Sequence, residues 1–157
     1  MYYGIYNSHA VTNLKLRGQK TILIRCLSKH EYEDKSLDIL NINDYVNVLN
    51  LEIEDKNFFD IKEAKLLNDF IINNDFDEVI AHCSLGLSRS PAIMICIAKI
   101  LNNLELEQKI KQNYKFYNKG IVSDFEKFPY ETKVILDKNF ILIDTNIKKE
   151  DAKILIK

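Results

Sequence analysis

Residues 79–92 read VIAHCSLGLSRSPA. Val79, Ile80 and Ala81 form a short apolar run after an Asp/Asn-rich turn at 73–78, the pattern of a buried strand. Pro91 stands at the head of residues 92–101 (AIMICIAKIL), an almost wholly apolar stretch and therefore a central helix. Between strand and helix runs a tight loop that holds Cys83 and, after five intervening residues, Arg89. Strand, tight turn and buried helix in so short a stretch is the joint from which α/β folds are built. In such folds ligands bind at the carboxyl ends of strands, beside helix N-termini.

The flanking sequence repeats this alternation. Residues 21–27 (TILIRCL) are β-branched and apolar, and residues 45–53 (YVNVLNLEI) alternate apolar with polar, so both read as strands. Asn57 is a candidate N-cap with Asp60 three residues on, opening a helix to about Asn74 that buries Phe59, Leu66, Leu67, Phe70 and Ile71. Leu106, Ile110, Tyr114 and Tyr117 mark a further helix, with Gly120 as its C-terminal stop. The expected fold is a single α/β domain over residues 1–157, with a mainly parallel central sheet flanked by helices and a Lys/Asp/Glu-rich tail, loosely attached, from about Asp144.

Composition narrows the class. The 157 residues are 46% hydrophobic and 29% charged, a globular balance that excludes disordered and collagen-like chains. A net charge of -1 leaves no global basic field for nucleic acid or an anionic membrane. Cys26, Cys83 and Cys96 are odd in number and no pair has metal-ligand spacing, so a reducing, cytoplasmic setting is expected. Residues 1–18 lack the apolar stretch of a secretory signal, and the longest apolar run, 92–98, is far short of the roughly 20 residues that span a bilayer. Cys26 and Cys96 read as small hydrophobes in a strand and a helix, and nothing in their spacing brings either to Cys83. His9 and His30 read as surface residues outside any metal constellation, Tyr114, Phe116 and Tyr117 as partly core, and Lys148, Lys149 and Lys153 as a solvated face.

The loop residues suit a phosphate group. A helix N-terminus offers unpaired N–H groups and a positive dipole end, and a loop curling ahead of it turns further N–H groups inward. Gly86 stands in mid-loop, where a left-handed backbone is expected. Among 22 basic residues only Arg17, Arg25 and Arg89 are arginine, so an arginine at the head of the helix points to a bidentate fork on phosphate oxygens. The same donors favour thiolate at Cys83; such sites lower a cysteine pKa to roughly 3.5–7.5. That makes Cys83 a candidate nucleophile. Ser84, Leu85, Gly86, Leu87, Ser88 and Arg89 form the candidate substrate-binding loop. His82 is a candidate support for the loop backbone, and Ser90 a hydroxyl able to donate to the sulfur as it leaves.

This arrangement resembles the protein tyrosine phosphatase superfamily, most closely its small dual-specificity-type members. Their pattern, His-Cys-x-x-Gly-x-Ser-Arg-Ser, is met at every fixed position from His82 to Ser90. A chance match to its first eight positions has odds on the order of one in a hundred thousand at this length. The looser resemblance covers residues 45–101. It implies a phosphomonoester hydrolase acting through a cysteinyl-phosphate, with no metal or organic cofactor. Phosphotyrosine in proteins is the first expected substrate, then phosphoserine and phosphothreonine. It also implies a general acid, an Asp roughly 30 residues before the Cys; Asp55 stands 28 before Cys83, with Glu54 and Asp60 as rivals. The absence of Trp departs from the large tyrosine phosphatases, and the absence of Lys from the loop departs from phosphoinositide-selective members. A phosphatase of RNA 5′ ends, nucleotides or inositol phosphates, or a non-catalytic phosphate binder, remains the alternative.

Overall fold

Five strands form one all-parallel sheet: β1 (Tyr2–Asn7), β2 (Thr21–Leu27), β3 (Asn47–Glu52), β4 (Glu78–Cys83) and β5 (Ile141–Asp144). Their order across the sheet is β3-β2-β4-β1-β5. The computed structural model describes residues 1–34 and 41–144. Of the expected tail, everything after Asp144, including Lys148, Lys149 and Lys153, lies outside the described residues.

Burial explains which strands the sequence announces. β2 has the bounds expected from TILIRCL, and every residue in it except Arg25 is buried. β4 is central, paired on both sides and buried along its whole length, so Val79, Ile80 and Ala81 form a continuous apolar run, while the buried Glu78 and His82 are hydrogen-bonded to Thr21 and Arg25. β3 lies at the edge, which is why its solvent-side positions stay polar. β1 (YYGIYN) was not expected. Its tyrosines and glycine mask the pattern, yet its Gly4, Ile5 and Tyr6 are buried because it lies between β4 and β5.

Helices α1 (Lys29–Glu33), α2 (Ile61–Asn73), α3 (Arg89–Ile100), α4 (Leu104–Asn113) and α5 (Lys119–Lys127) complete the fold. In α3 every residue but Lys99 is buried, matching its expected central place. Residues from α2, α3, α4 and α5 share one core with Ile22, Ile24, Val79 and Ala81, while Leu23 and Ile80 face a smaller cluster with Tyr6, Val11 and Ile143. Burying an isoleucine contributes about 1.5–3 kcal/mol, so α3 anchors the loop before it.

Several local expectations change. Asn57 does not cap α2; Asp60 does, accepting from the Lys62 N–H at 3.0 Å. Gly120 is not a helix stop but lies in the first turn of α5, which Asn118 caps by accepting from the Ile121 N–H at 3.1 Å. A Cβ at Gly120 would stand 2.0 Å from the Asn57 carbonyl oxygen, so close approach of two chain segments sets that glycine. The helix expected through Tyr117 ends at Asn113; Tyr114 is its buried C-cap and Phe116 is exposed. On α2, Leu67 and Ile71 are buried, but Leu66 is exposed because it falls outside the core-facing stripe.

Because all strands are parallel, their carboxyl ends lie along one edge of the sheet. Ser8 follows β1, Glu31 follows β2, Asp55 follows β3 and Cys83 ends β4. Among the described residues no helix is long and apolar enough to cross a membrane.

Candidate active site

The loop between β4 and α3 closes around the Cys83 sulfur. The Gly86 N–H donates to Sγ at 3.2 Å, and the Ser90 hydroxyl lies 3.2 Å from the same atom. Gly86 has φ +73°, and a Cβ there would meet the Asn7 nitrogen and the Tyr6 carbonyl carbon at 2.9 Å. Glycine is required on both counts. The end of β1 braces the loop: the Ser8 N–H donates to the Ser84 carbonyl at 3.2 Å and the Ser8 hydroxyl to the Cys83 carbonyl at 3.2 Å.

Arg89 is buried and held in a set orientation. Its Nη1 donates to Glu31 Oε1 at 2.5 Å and to the Ile53 carbonyl at 3.0 Å; its Nη2 donates to Glu31 Oε2 at 3.1 Å. A guanidinium has five N–H donors. These bonds leave the Nε–H and the second Nη2 hydrogen, a pair that can grip two oxygens of one anion. The fork expected from the sequence is therefore shared, one side on Glu31 and the other available to a phosphate. Burial would raise the Glu31 carboxyl, but hydrogen bonds from Arg89 and Ser28 outweigh it and hold it down at about 2. Glu31 stays ionised and keeps the arginine in place.

Glu31 was not found from the sequence, though a local signal exists. Ser28 and Glu31 form a capping box directly after β2: the Ser28 N–H donates to Glu31 Oε1 at 2.8 Å, and the Glu31 N–H donates to Ser28 Oγ at 3.3 Å. A capping box at the carboxyl end of a predicted parallel strand already points its carboxylate toward the ligand edge.

Asp55 joins the site. A cavity of about 240 Å³ is lined by Glu31, Asp55, Cys83, Ser84, Leu85, Leu87, Ser88 and Arg89. The Ser88 hydroxyl donates to Asp55 Oδ1 at 3.3 Å. The rivals Glu54 and Asp60 line a separate cavity with Phe58 and Phe59, and Asp60 is committed to capping α2. All the expected loop residues and Asp55 thus meet in one place. A larger cavity of about 450 Å³ beside α4, lined by Glu105, Lys109 and Phe140 among others, contains none of them.

His82 behaves differently from its expected role in the loop. Alternation along β4 puts its ring on the face of Ile80, away from the Cys83 side chain. Its Nε2 accepts from Arg25 Nε at 3.2 Å, and its Nδ1 is buried with no hydrogen-bond partner among the described residues. Burial, followed by the Arg25 charge, pushes its pKa down to about 3, with the Cys83 backbone pulling weakly the other way. His82 is a neutral strut under the strand.

Cys26 and Cys96 are fully buried small side chains, as expected, and burial pushes both thiols up. The linear spacing hides a neighbour, however. The β2–β4 ladder runs to Arg25 opposite His82, so the next residues on the two strands are Cys26 and Cys83. Both belong to the same core face as Ile24 and Ala81. His9 and His30 are exposed, and among the described residues no group of three or more His, Cys, Asp or Glu is placed to hold a metal ion. Comparison with protein-family models returns no match for this chain, and comparison with curated proteins returns none.

Proposed function

We propose that the chain is a cysteine-dependent phosphomonoester hydrolase of the dual-specificity phosphatase type, acting first on phosphotyrosine in proteins. The observation that carries this reading is one cavity that holds Cys83, Arg89 and Asp55 together, with the Gly86 N–H and the Ser90 hydroxyl each 3.2 Å from the sulfur. The Cys83 thiolate attacks phosphorus and a sulfur–phosphorus bond forms. The bond to the leaving oxygen breaks as Asp55 gives that oxygen its proton. Arg89 and the loop N–H groups hold the phosphoryl oxygens throughout.

In the second step the Asp55 carboxylate takes a proton from water. The water oxygen attacks phosphorus, and the sulfur–phosphorus bond breaks. Ser90 donates a hydrogen bond to the departing thiolate. Thiolate, guanidinium and carboxyl supply all of this chemistry. Leu85 and Leu87, 70% and 45% exposed, line the cavity and suit the ring of an aryl phosphate better than a polyanionic headgroup. A thiolate nucleophile also suits the reducing, cytoplasmic setting expected from the cysteine content.

The test is hydrolysis of p-nitrophenyl phosphate in the presence of EDTA. The reading requires turnover that vanadate inhibits and that Cys83→Ser abolishes while phosphate binding persists. Phosphate binding without turnover in the wild type would instead establish a non-catalytic binder.

A further inference from the structure

One side chain outside the loop ties the two halves of the site together. Asn118 precedes α5 and is buried. Its backbone N–H donates to the Ser88 carbonyl at 3.0 Å, one residue before Arg89. Its Nδ2 donates to the Lys56 carbonyl at 2.7 Å, one residue after Asp55. Its Oδ1 accepts from the Ile121 N–H and caps α5. With the Ser88–Asp55 hydrogen bond, these contacts close a ring through Asp55, Ser88, Asn118 and Lys56.

Two more bonds fasten the same segment to α5. The Gly120 N–H donates to Asn57 Oδ1 at 2.8 Å, and the Phe59 N–H donates to Asp124 Oδ2 at 2.8 Å. Residues 55–59 are exposed apart from Phe59, and none belongs to a helix or strand. Their position over the loop is therefore set by these bonds. The segment that carries Asp55 is thus clamped although it has no secondary structure of its own.

We infer that Asn118 is a positioning residue that fixes the carboxyl of Asp55 over the phosphate-binding loop, a role that rests on the phosphatase reading. The Lys56 carbonyl it holds belongs to the Lys56–Asn57 peptide unit, one unit beyond the peptide that joins Asp55 to Lys56. Releasing that carbonyl lets Asp55 turn away from the leaving oxygen without touching the nucleophile or Arg89. A misplaced acid costs most where the leaving group is basic.

Asn118→Ser isolates this role. Serine is as good an N-cap as asparagine, and the backbone bond to Ser88 does not depend on the side chain. Only the donor to Lys56 is lost. The expected result is a tenfold or greater fall in kcat on a phosphotyrosine peptide, a loss below threefold on p-nitrophenyl phosphate, and vanadate inhibition within threefold of wild type. In an Asp55→Asn background the substitution should add nothing further. Gly120→Ala, which drives a methyl into the Asn57 carbonyl, should show the same leaving-group signature. Equal losses on both substrates, or a loss that multiplies with Asp55→Asn, would overturn the positioning role. A wild type inactive on both substrates would sink the phosphatase reading itself. Activity that survives in Asn118→Ser on the peptide would sink only the role of Asn118.

Discussion

Asp55 and Ser88, 33 residues apart in the chain, meet through a 3.3 Å hydrogen bond from the serine hydroxyl to Oδ1. The contact joins the segment after β3 to the loop that holds Cys83. It selects Asp55 over Glu54 and Asp60, which face a different cavity. Asp55→Asn is therefore expected to slow phosphotyrosine hydrolysis by about 10²–10⁴ while sparing activated aryl phosphates. Steady-state rates over a series of leaving groups check this; a silent Asp55→Asn beside a crippled Glu54→Gln would move the assignment.

The Glu31–Arg89 pair gives a second prediction. Hydrogen bonds to charged groups contribute about 1.5–3 kcal/mol, so Glu31→Gln should lower kcat/KM by roughly 10- to 100-fold. The loss should appear with every phosphomonoester, because it acts through Arg89 and not through the leaving group. Arg89→Lys keeps the charge but cannot serve Glu31, Ile53 and a phosphate at once, and should be worse. Vanadate inhibition constants for the two variants read the effect directly. Unchanged values in Glu31→Gln would show that burial alone orients Arg89.

Oxidation offers a third. Neighbouring strands lie about 4.8 Å apart, within the roughly 4.4–6.8 Å that a disulfide spans between Cα atoms. Peroxide should convert the Cys83 thiolate to a sulfenic acid, releasing hydroxide. The Cys26 thiol can then displace water from it to form a disulfide. Burial keeps the Cys26 thiol protonated, so this second step should be slow. A linked pair of peptides by mass spectrometry, lost in Cys26→Ala together with reversibility by dithiothreitol, is the expected result. Sulfinic acid at Cys83 with no linked peptide would show that the two sulfurs do not meet.

A fourth prediction concerns acid stability. His82 is held neutral in the fold to about pH 3, whereas in the unfolded chain it takes a proton near 6.5. Between these values the unfolded state binds more protons, so stability falls as pH drops through that window. Glu31 acts lower: its depressed pKa of about 2 gives stability present above the ordinary carboxylate range and lost as pH falls toward 2. His82→Asn should flatten the decline of Tm between pH 6.5 and 4 and leave the steeper loss below 4. An identical Tm profile would mean His82 titrates normally in the fold.

The residues that could be read from the chain alone are those whose partners are close in sequence. His82 to Ser90 is one strand end, one loop and one helix start, so the nest around Cys83 needs only local backbone geometry and Gly86 to form. The bounds of β2 and the burial of α3 were equally legible, because residues 22–24 and 92–98 are the continuous apolar runs that a buried element needs over most of its length. The sequence therefore determined the tight loop around Cys83, the central strand and helix, and the α/β class. Tertiary structure decided the rest. Glu31 reaches Arg89 across 58 residues, Asn118 reaches Lys56 across 62, and Cys26 comes beside Cys83 only through strand order. These contacts are made by polar or small side chains whose local sequence is ordinary. Chain closure over such distances depends on how the whole sheet packs, and no short-range period records it.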